Sequence, residues 1–388
     1  MKKTWPFTFN LLIFSAFAFC VPFLVLYYQR MGFTGAQIGL MTGITPLITL
    51  LSTPLWTTFA DATRRHRLCM RLTLLLGAIS VSIFPFLNAF LPILVLAILF
   101  SAVMSPITSF ADSAAMFMLA DQKEKYGRIR LGGTIGFGLA AAVAGIVVQQ
   151  YSLNLAFWGC AVLLLLALLV SQNLAYNPQP ISGSTRQSVR ALLTDRRWLL
   201  FLTMGFAGGF ALAGTNTYFF PYLRELGANE STMGFALTLG TVSEIPVLFF
   251  GNRLLRRFKP QGLLRLAMVF TGLRALAFAA ASTPQLALLI QLLNGLTFPA
   301  MWVAGVAYAD EHAPIGLNAS AQGMFSAMVM GFGAAVGGFV GGPLLESHGG
   351  RGLYLVFGTV VLVTVALVIF VQSRLPVEPT TAPTTAAN

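Results

Sequence analysis

The stretch "YGRIRLGGTIGFGLAAAVAG", Tyr126 to Gly145, places two arginines at the start of a long apolar segment. From Leu131 onward the stretch contains no charged residue. Its second arginine, Arg130, therefore enters a segment that otherwise has the composition of a lipid-soluble helix. A charged side chain at the centre of a spanning helix costs at least ~2.5–3.5 kcal/mol, so such a residue predicts a paired or functional site.

The whole chain has the composition of an integral membrane protein. Its 388 residues are 56% hydrophobic and 9% charged, with a mean hydropathy of +0.78, whereas soluble domains contain about 25% charged residues. About twelve apolar runs reach the ~20 helical residues that are needed to cross a bilayer core. The runs are continuous and lack the period-two alternation of a membrane β-barrel, so they predict helices.

The basic residues predict how the chain lies in the membrane. With a cytoplasmic amino terminus, 19 of the 24 Lys and Arg lie on the cytoplasmic side. This bias supports an inner-membrane protein with both termini in the cytoplasm. Because the net charge of +12 lies next to lipid headgroups, it requires no nucleic-acid partner. The predicted cytoplasmic loops are Asp61–Arg67, Asp121–Tyr126, Tyr176–Arg197, Gly251–Gln261 and Asp310–Leu317.

The two halves of the chain repeat each other. An offset of 195 residues aligns "RMGFTGAQIG" (30–39) with "ELGANESTMG" (225–234), and "GFGLAAAVAG" (136–145) with "GFGAAVGGFV" (331–340). We therefore expect an all-α membrane protein with twelve transmembrane helices in two pseudo-symmetric six-helix bundles. The predicted parts are an amino-terminal bundle (1–176), a cytoplasmic linker (177–197), a carboxy-terminal bundle (198–373) and a disordered cytoplasmic tail (374–388).

Four charged side chains fall inside the predicted spans: Asp112, Arg130, Glu244 and Arg274. At 1.5 Å per residue, three of them lie about 13 Å from the nearest loop, near the midplane, and Arg130 is shallower. Each half holds one acid and one base, which predicts the pairs Asp112–Arg130 and Glu244–Arg274. Such pairs are either structural salt bridges or sites for substrate and proton.

These residues resemble the major facilitator superfamily, and within it the lactose-permease-like and phenylpropionate-permease-like proton symporters. Asp112 precedes Arg130 by 18 residues, a spacing similar to that between the fourth-helix carboxylate and the sugar-binding arginine of lactose permease. The stretch "VSEIPVLFFGNRLLRR" resembles the eighth helix of the phenylpropionate-permease branch, whose acid matches Glu244. The resemblance implies secondary active transport, with proton-coupled uptake of a small organic solute by alternating access.

Some positions depart from that pattern. Phe137 stands where the sugar permeases have a tryptophan that stacks on the sugar ring, and Asn294 and Thr297 stand where lactose permease has a proton-coupling His and Glu. In "PLWTTFADATRRHR", the resemblance implies a conformational latch at Asp61 and Arg65, although two glycines of the motif are replaced.

The residues and the resemblance together predict two sites. Glu244 and Arg274 are predicted to couple protons. The predicted substrate-binding residues are Asp112, Arg130, Phe137, Asn294, Trp302 and Asn216. Tyr27, Tyr28 and Tyr218 are further candidates, either for the cavity or for an outer aromatic belt. Sugars, nucleosides and aromatic acids all remain possible substrates, because Arg130 can bind a carboxylate as well as hydroxyl groups.

Other functional classes fit less well. Proton-coupled efflux of drugs or metabolites is the alternative, but drug antiporters typically have a proline in the fifth-helix signature, and residues 131–145 contain none. A channel is a further alternative, which paired midplane charges do not favour. The three histidines lie in loops and the three cysteines in or beside apolar spans, without metal-ligand spacing. We therefore expect no enzyme activity, no metal and no cofactor, with a proton gradient as the energy source and a monomer in the bilayer.

Overall fold

The protein is described here by a computed structural model, for residues 4–120, 122, 126–176, 194–313 and 317–374. Within these residues, eleven helical segments are long and apolar enough to cross a membrane. The last of them, Ser320–Arg374, has 55 residues and breaks at Gly349, where φ is 66°. Since one crossing needs only ~20 residues, this segment contains two spans. The expected all-α fold with twelve spans is confirmed.

We number the spans α1 to α12. Their bounds are Thr4–Arg30 (α1), Gly35–Thr63 (α2), His66–Phe86 (α3), Phe90–Leu119 (α4), Tyr126–Gln150 (α5), Asn154–Ser171 (α6), Arg196–Asn216 (α7), Glu230–Phe249 (α8), Gly251–Ala280 (α9), Pro284–His312 (α10), 318–348 (α11) and 350–374 (α12). A short helix, Phe219–Glu225, continues α7. Most of the predicted linker and nearly all of the predicted tail lie outside the described residues.

One predicted loop is wrong. Residues 251–258 are helical, and the chain turns only at Lys259, whose φ is 56°. Leu254 and Leu255 pack against the core of the second bundle. As an amphipathic helix, this basic segment therefore makes apolar contacts that a loop would not make. The first half has the same left-handed turn at Arg64, whose φ is 55°.

The repeat extends to individual hydrogen bonds. The Tyr27 hydroxyl donates to the carbonyl of Phe84 (2.6 Å), and the Tyr222 hydroxyl, 195 residues later in the sequence, donates to the carbonyl of Phe278 (2.6 Å). Both tyrosines are fully buried. Each hydroxyl therefore joins the end of one span to the end of another at the same place in its bundle.

The turns before α2 and α8 also repeat. Gly32 and Gly227 both adopt left-handed φ values, of 75° and 89°, which glycine tolerates without steric cost. Two residues after each glycine, the side chains of Thr34 and Asn229 accept hydrogen bonds from backbone N–H groups in the first turn of the helix. Turn and cap together fix where each of the two helices begins.

The two bundles meet at the end of the molecule opposite the linker, which we call the closed end. There α2 packs against α11, and α5 packs against α8. A Cβ added to Gly342 would overlap the backbone of Gly39, and one added to Gly145 would overlap the Glu230 carbonyl. Glycines therefore let helix backbones from different bundles touch directly.

The end that carries the linker, which we call the linker end, is more open. Leu248, Phe249 and Phe250 are all exposed, although they are consecutive residues at the end of α8. Side chains of consecutive helical residues point about 100° apart, so little packs around this part of the helix. At the start of α5, a Cβ added to Gly127 would meet no atom within 4 Å. The two bundles are thus joined at the closed end, whereas the ends of α5 and α8 at the linker end have few protein neighbours.

We expect Tyr27→Phe and Tyr222→Phe to lower the free energy of unfolding by similar amounts, about 0.5–1.5 kcal/mol each, because each variant loses one buried hydrogen bond. Thermal unfolding of the purified protein in detergent measures the effect. Tyr28→Phe is the matched control, since Tyr28 is also buried but has no hydrogen bond to lose. An equal loss in the Tyr28 variant would contradict the assignment.

Candidate functional site

Asp112 and Arg130 lie close together on neighbouring helices. Asp112 is in α4 and Arg130 is in α5, with 3.5 Å between the guanidinium Nη1 and the carboxylate Oδ1. The side chains are 37% and 43% exposed. The guanidinium also lies 5.3 Å from the ring centre of Phe14 in α1, within the range of a cation–π interaction. The predicted pair is present, and it leaves most of the five N–H donors of the guanidinium for a further partner.

Glycines in α5 place Arg130 next to α1. A Cβ added to Gly136 would overlap the backbone of Leu11, and the Ser15 hydroxyl donates to the Gly136 carbonyl at 3.0 Å. A Cβ added to Gly133 would lie 2.8 Å from the Phe14 ring, the same ring that the guanidinium covers. The close approach of α1 and α5 therefore brings an aromatic face to the arginine.

The predicted Glu244–Arg274 salt bridge is wrong. Arg274 is only 4% exposed; it donates to the Thr297 hydroxyl at 3.2 Å and to the side-chain oxygen of Gln291. Glu244 instead accepts a hydrogen bond from the Asn294 side chain at 2.7 Å. The physical reason is that α10 inserts three short polar side chains between the two charges. The direct hydrogen-bond partners of each charge are neutral side chains rather than the opposite charge.

The hydrogen bonds of the two charges meet at Asn294 in α10, whose side chain binds Glu244 and whose backbone carbonyl accepts from Thr297. The Thr297 hydroxyl, which accepts from Arg274, donates to the Asn294 carbonyl at 2.7 Å. The helix is irregular there: its first part ends at Gln291, residues 292–296 are 3₁₀-helical, and Thr297 has φ −101° and ψ −99°. The residues that hold the two charges therefore flank a break in the helix, which is a common place for ligand and ion contacts in carriers.

The remaining predicted substrate residues lie in three places. Phe137 is half-buried in α5, two turns beyond Arg130, against a small alanine cluster. Trp302 packs on the rings of Phe298 and Phe325 inside the second bundle, with centroid distances of 5.8 and 5.7 Å. Asn216 is exposed at the point where α7 breaks. Asn294 belongs to the Glu244 network described above.

The tyrosines considered for a cavity or an aromatic belt have another role. Tyr27, Tyr28 and Tyr218 are all buried. The Tyr218 hydroxyl bonds to the Thr42 hydroxyl (2.7 Å) and to the Gly338 carbonyl (2.5 Å). Since Thr42 belongs to the other bundle, Tyr218 holds the closed end together.

The predicted latch residue Asp61 lies beside a histidine. Its Oδ1 lies 2.7 Å from the Nε2 of His66, and the His66 ring stacks on Tyr176, 5.6 Å between centroids. Arg65 occupies the N-cap position of α3, and its backbone N–H donates to the Ala60 carbonyl. The left-handed turn at Arg64 brings the histidine, rather than Arg65, back to the carboxylate.

The family follows from a comparison with known proteins. Residues 7–356 match the model of the MFS_1 like family. The chain belongs to this family of the major facilitator superfamily. Its relatives are transporters, so the protein is a multi-pass membrane transporter and not an enzyme.

Individual relatives agree with this assignment. The maltose permease of Geobacillus stearothermophilus is 31% identical over 375 residues, which cover 96% of this chain and 95% of that protein. The putative nucleoside transporter YegT of Escherichia coli is 25% identical over 365 residues, covering 89% and 85% of the two chains. The crystal structure of the nucleoside transporter NupG has a TM-score of 0.84 at 20% identity, covering 95% of this chain and 99% of that one. This last likeness concerns the fold.

We expect Gln291→Leu to destabilise the protein, because it removes one of the two side-chain acceptors that bind the buried Arg274 guanidinium. Hydrogen bonds to charged groups contribute about 1.5–3 kcal/mol, so the unfolding temperature should fall by several degrees. Gln285→Leu is the matched control, an exposed glutamine six residues earlier in the same helix. Equal unfolding temperatures for the two variants would contradict the role given to Gln291.

Proposed function

We propose that the protein is a proton symporter that takes up a small hydroxyl-rich solute, of the sugar or nucleoside type, by alternating access. The observation that supports this most is the Asp112–Arg130 pair, which stays partly exposed at the open side of the first bundle. A charged pair that serves only to orient helices gains nothing from exposure. We place the protein in the inner membrane as a monomer, with the linker and both termini in the cytoplasm.

The chemistry of the pair favours hydroxyl groups as ligands. Arg130 offers several N–H donors and Asp112 offers carboxylate acceptors, and neighbouring sugar hydroxyls both donate and accept. The Phe14 ring under the guanidinium and Phe137 two turns away provide aromatic faces beside them. The name of the 31% identical relative, a maltose permease, points the same way. Asn216, Asn294 and Trp302 complete the proposed substrate site from the second bundle.

Glu244 is the proposed proton site, with Arg274 as its partner through α10. The direct hydrogen-bond partner of Glu244 is the neutral Asn294 side chain. Glu244 can therefore gain a proton without removing a hydrogen-bond partner from the buried Arg274 guanidinium. Arg274 keeps Gln291 and Thr297 in either case. The break in α10 lies between the two groups. Protonation of Glu244 would therefore alter its hydrogen bond to α10, the helix whose side chains also bind Arg274.

The proposed orientation makes this structure the form that is open to the cytoplasm. Asp61, with His66 and the basic residues around Arg65, is the proposed latch at that end. The closer likeness to the lactose-permease and phenylpropionate-permease branch belongs to the same proposal, because those members are proton symporters. Proton-coupled efflux of a drug or metabolite is the alternative. The direction in which a proton gradient moves the solute distinguishes efflux from uptake.

In proteoliposomes, we expect a pH gradient, acidic on the side opposite the linker, to drive accumulation of labelled maltose above equilibrium. Glu244→Gln should reduce accumulation at least tenfold but retain exchange of labelled for unlabelled solute, because exchange requires no net proton movement. Glu311→Gln, which removes an exposed acid of α10, should behave as wild type. The proposed coupling would be ruled out if accumulation did not depend on the pH gradient, or if the Glu244→Gln variant accumulated solute as well as the wild type.

We expect Arg130→Ala to lose the thermal shift that a bound solute produces. Maltose, a nucleoside and an aromatic acid would each be titrated into the wild-type protein, the Arg130→Ala variant and an Arg128→Ala control. Removing charged hydrogen bonds of about 1.5–3 kcal/mol weakens binding roughly 10–100-fold. Arg128→Ala, an exposed arginine two residues earlier in α5, should bind normally. If the two variants bind the active solute equally well, Arg130 is not in the substrate site.

A further inference from the structure

Two side chains at the closed end cap helices of the opposite bundle. Glu346, near the end of α11, accepts a hydrogen bond from the backbone N–H of Gly35 at the start of α2, at 2.9 Å. Gln149, near the end of α5, accepts one from the backbone N–H of Ser231 at the start of α8, at 3.1 Å. The first N–H groups of a helix have no partner within the helix. Here the other bundle supplies that partner.

The two contacts are counterparts in the internal repeat. Gly35 and Ser231 are 196 residues apart, and Gln149 and Glu346 are 197 apart, close to the offset of 195 that aligns the halves. The same architectural contact therefore occurs twice, once with a carboxylate and once with an amide.

The charge makes the two contacts unequal. A carboxylate at a helix N-terminus interacts favourably with the helix dipole, and its hydrogen bonds are roughly twice as strong as those of a neutral acceptor. The first turn of α2 contains no acidic residue, whereas the first turn of α8 contains Glu230. A carboxylate at position 149 would add a second negative charge at a helix start that already has Glu230, which gives a physical reason for the amide there.

The contact of Glu346 also requires a glycine opposite. A Cβ added to Gly35 would lie 2.5 Å from the Gly342 carbonyl oxygen and 2.7 Å from the Oε2 of Glu346. Even a methyl group at this position must therefore push α11 away from α2. Neither Glu346 nor Gly35 lies near the Asp112–Arg130 pair or the Glu244 network, so their effect on transport has to come through the packing of the bundles.

We propose that Glu346 is a positioning residue of the transport cycle, whose carboxylate caps α2 and so favours the state that is closed at this end. Gln149 makes the corresponding, weaker contact between α5 and α8. The closed end must separate in every cycle of alternating access, and the strength of the Glu346 contact sets how readily it does. The proposal requires the two bundles to move, but it requires neither proton coupling nor a particular solute.

Spin labels at Asn88 and Ser282 test this proposal without any solute. Both residues are exposed in turns at the closed end, one in each bundle, and the three native cysteines are buried. We expect one dominant short distance in the wild type. Glu346→Gln should raise the ratio of the long to the short distance about threefold to tenfold, as expected for a helix-end charge. Gly35→Ala should raise it as well.

A rescue experiment separates charge from local damage. In the Glu346→Gln protein, Gln149→Glu combined with Glu230→Gln should return the distances towards the short population, because the charged cap is then at the other contact. Gln149→Glu alone should not, because Glu230 repels it. If Glu346→Gln leaves the distances unchanged while Gly35→Ala shifts them, packing alone closes this end and the proposal is wrong. If the combined variant fails to rescue, the charge at the helix end is not the cause.

Discussion

The structure depends on how four charges are kept inside helices that cross a membrane. Each needs a partner, because an uncompensated ion there costs several kcal/mol. In the first half Asp112 and Arg130 compensate each other and stay partly exposed. In the second half Arg274 is enclosed by an amide and a hydroxyl, and Glu244 accepts from Asn294. The first arrangement leaves donors and acceptors for a solute, and the second leaves a carboxyl that is free of a direct ion pair.

The second constraint is the contact between the bundles. They meet at the closed end through glycines, which allow backbones to touch, and through hydrogen bonds such as that between Tyr218 and Thr42. Where backbones of the two bundles meet at glycines, as at Gly39 and Gly342, no side chains interlock, so these contacts can separate without repacking either bundle. The interface therefore suits the proposed alternating access, in which each bundle stays rigid and the two move against each other around the charged residues.

The sequence predicts the structural features that depend on distance along the chain. Hydrophobic length gives the twelve spans, and the offset of 195 reappears in the Tyr27 and Tyr222 hydrogen bonds. The spacing of Asp112 and Arg130 predicts their proximity. The neighbours of a side chain are harder to infer, because the depth of a residue in the membrane does not determine the direction of its side chain around the helix axis. Glu244 and Arg274 have similar depths, yet Asn294 and its neighbours in α10 separate them, and nothing in their spacing indicates that α10 breaks there.

In the proposed transport cycle the two bundles move as rigid bodies, opening one end as the other closes. Spin labels at Gly127 and Gly323, both in open space at the linker end, would be measured alongside the pair at Asn88 and Ser282 at the closed end, with and without the transported solute. We expect solute to redistribute the two distances in opposite directions, the linker end shortening as the closed end lengthens. Distances that both lengthen, or that stay fixed in a protein that still transports, would contradict this rigid-body movement.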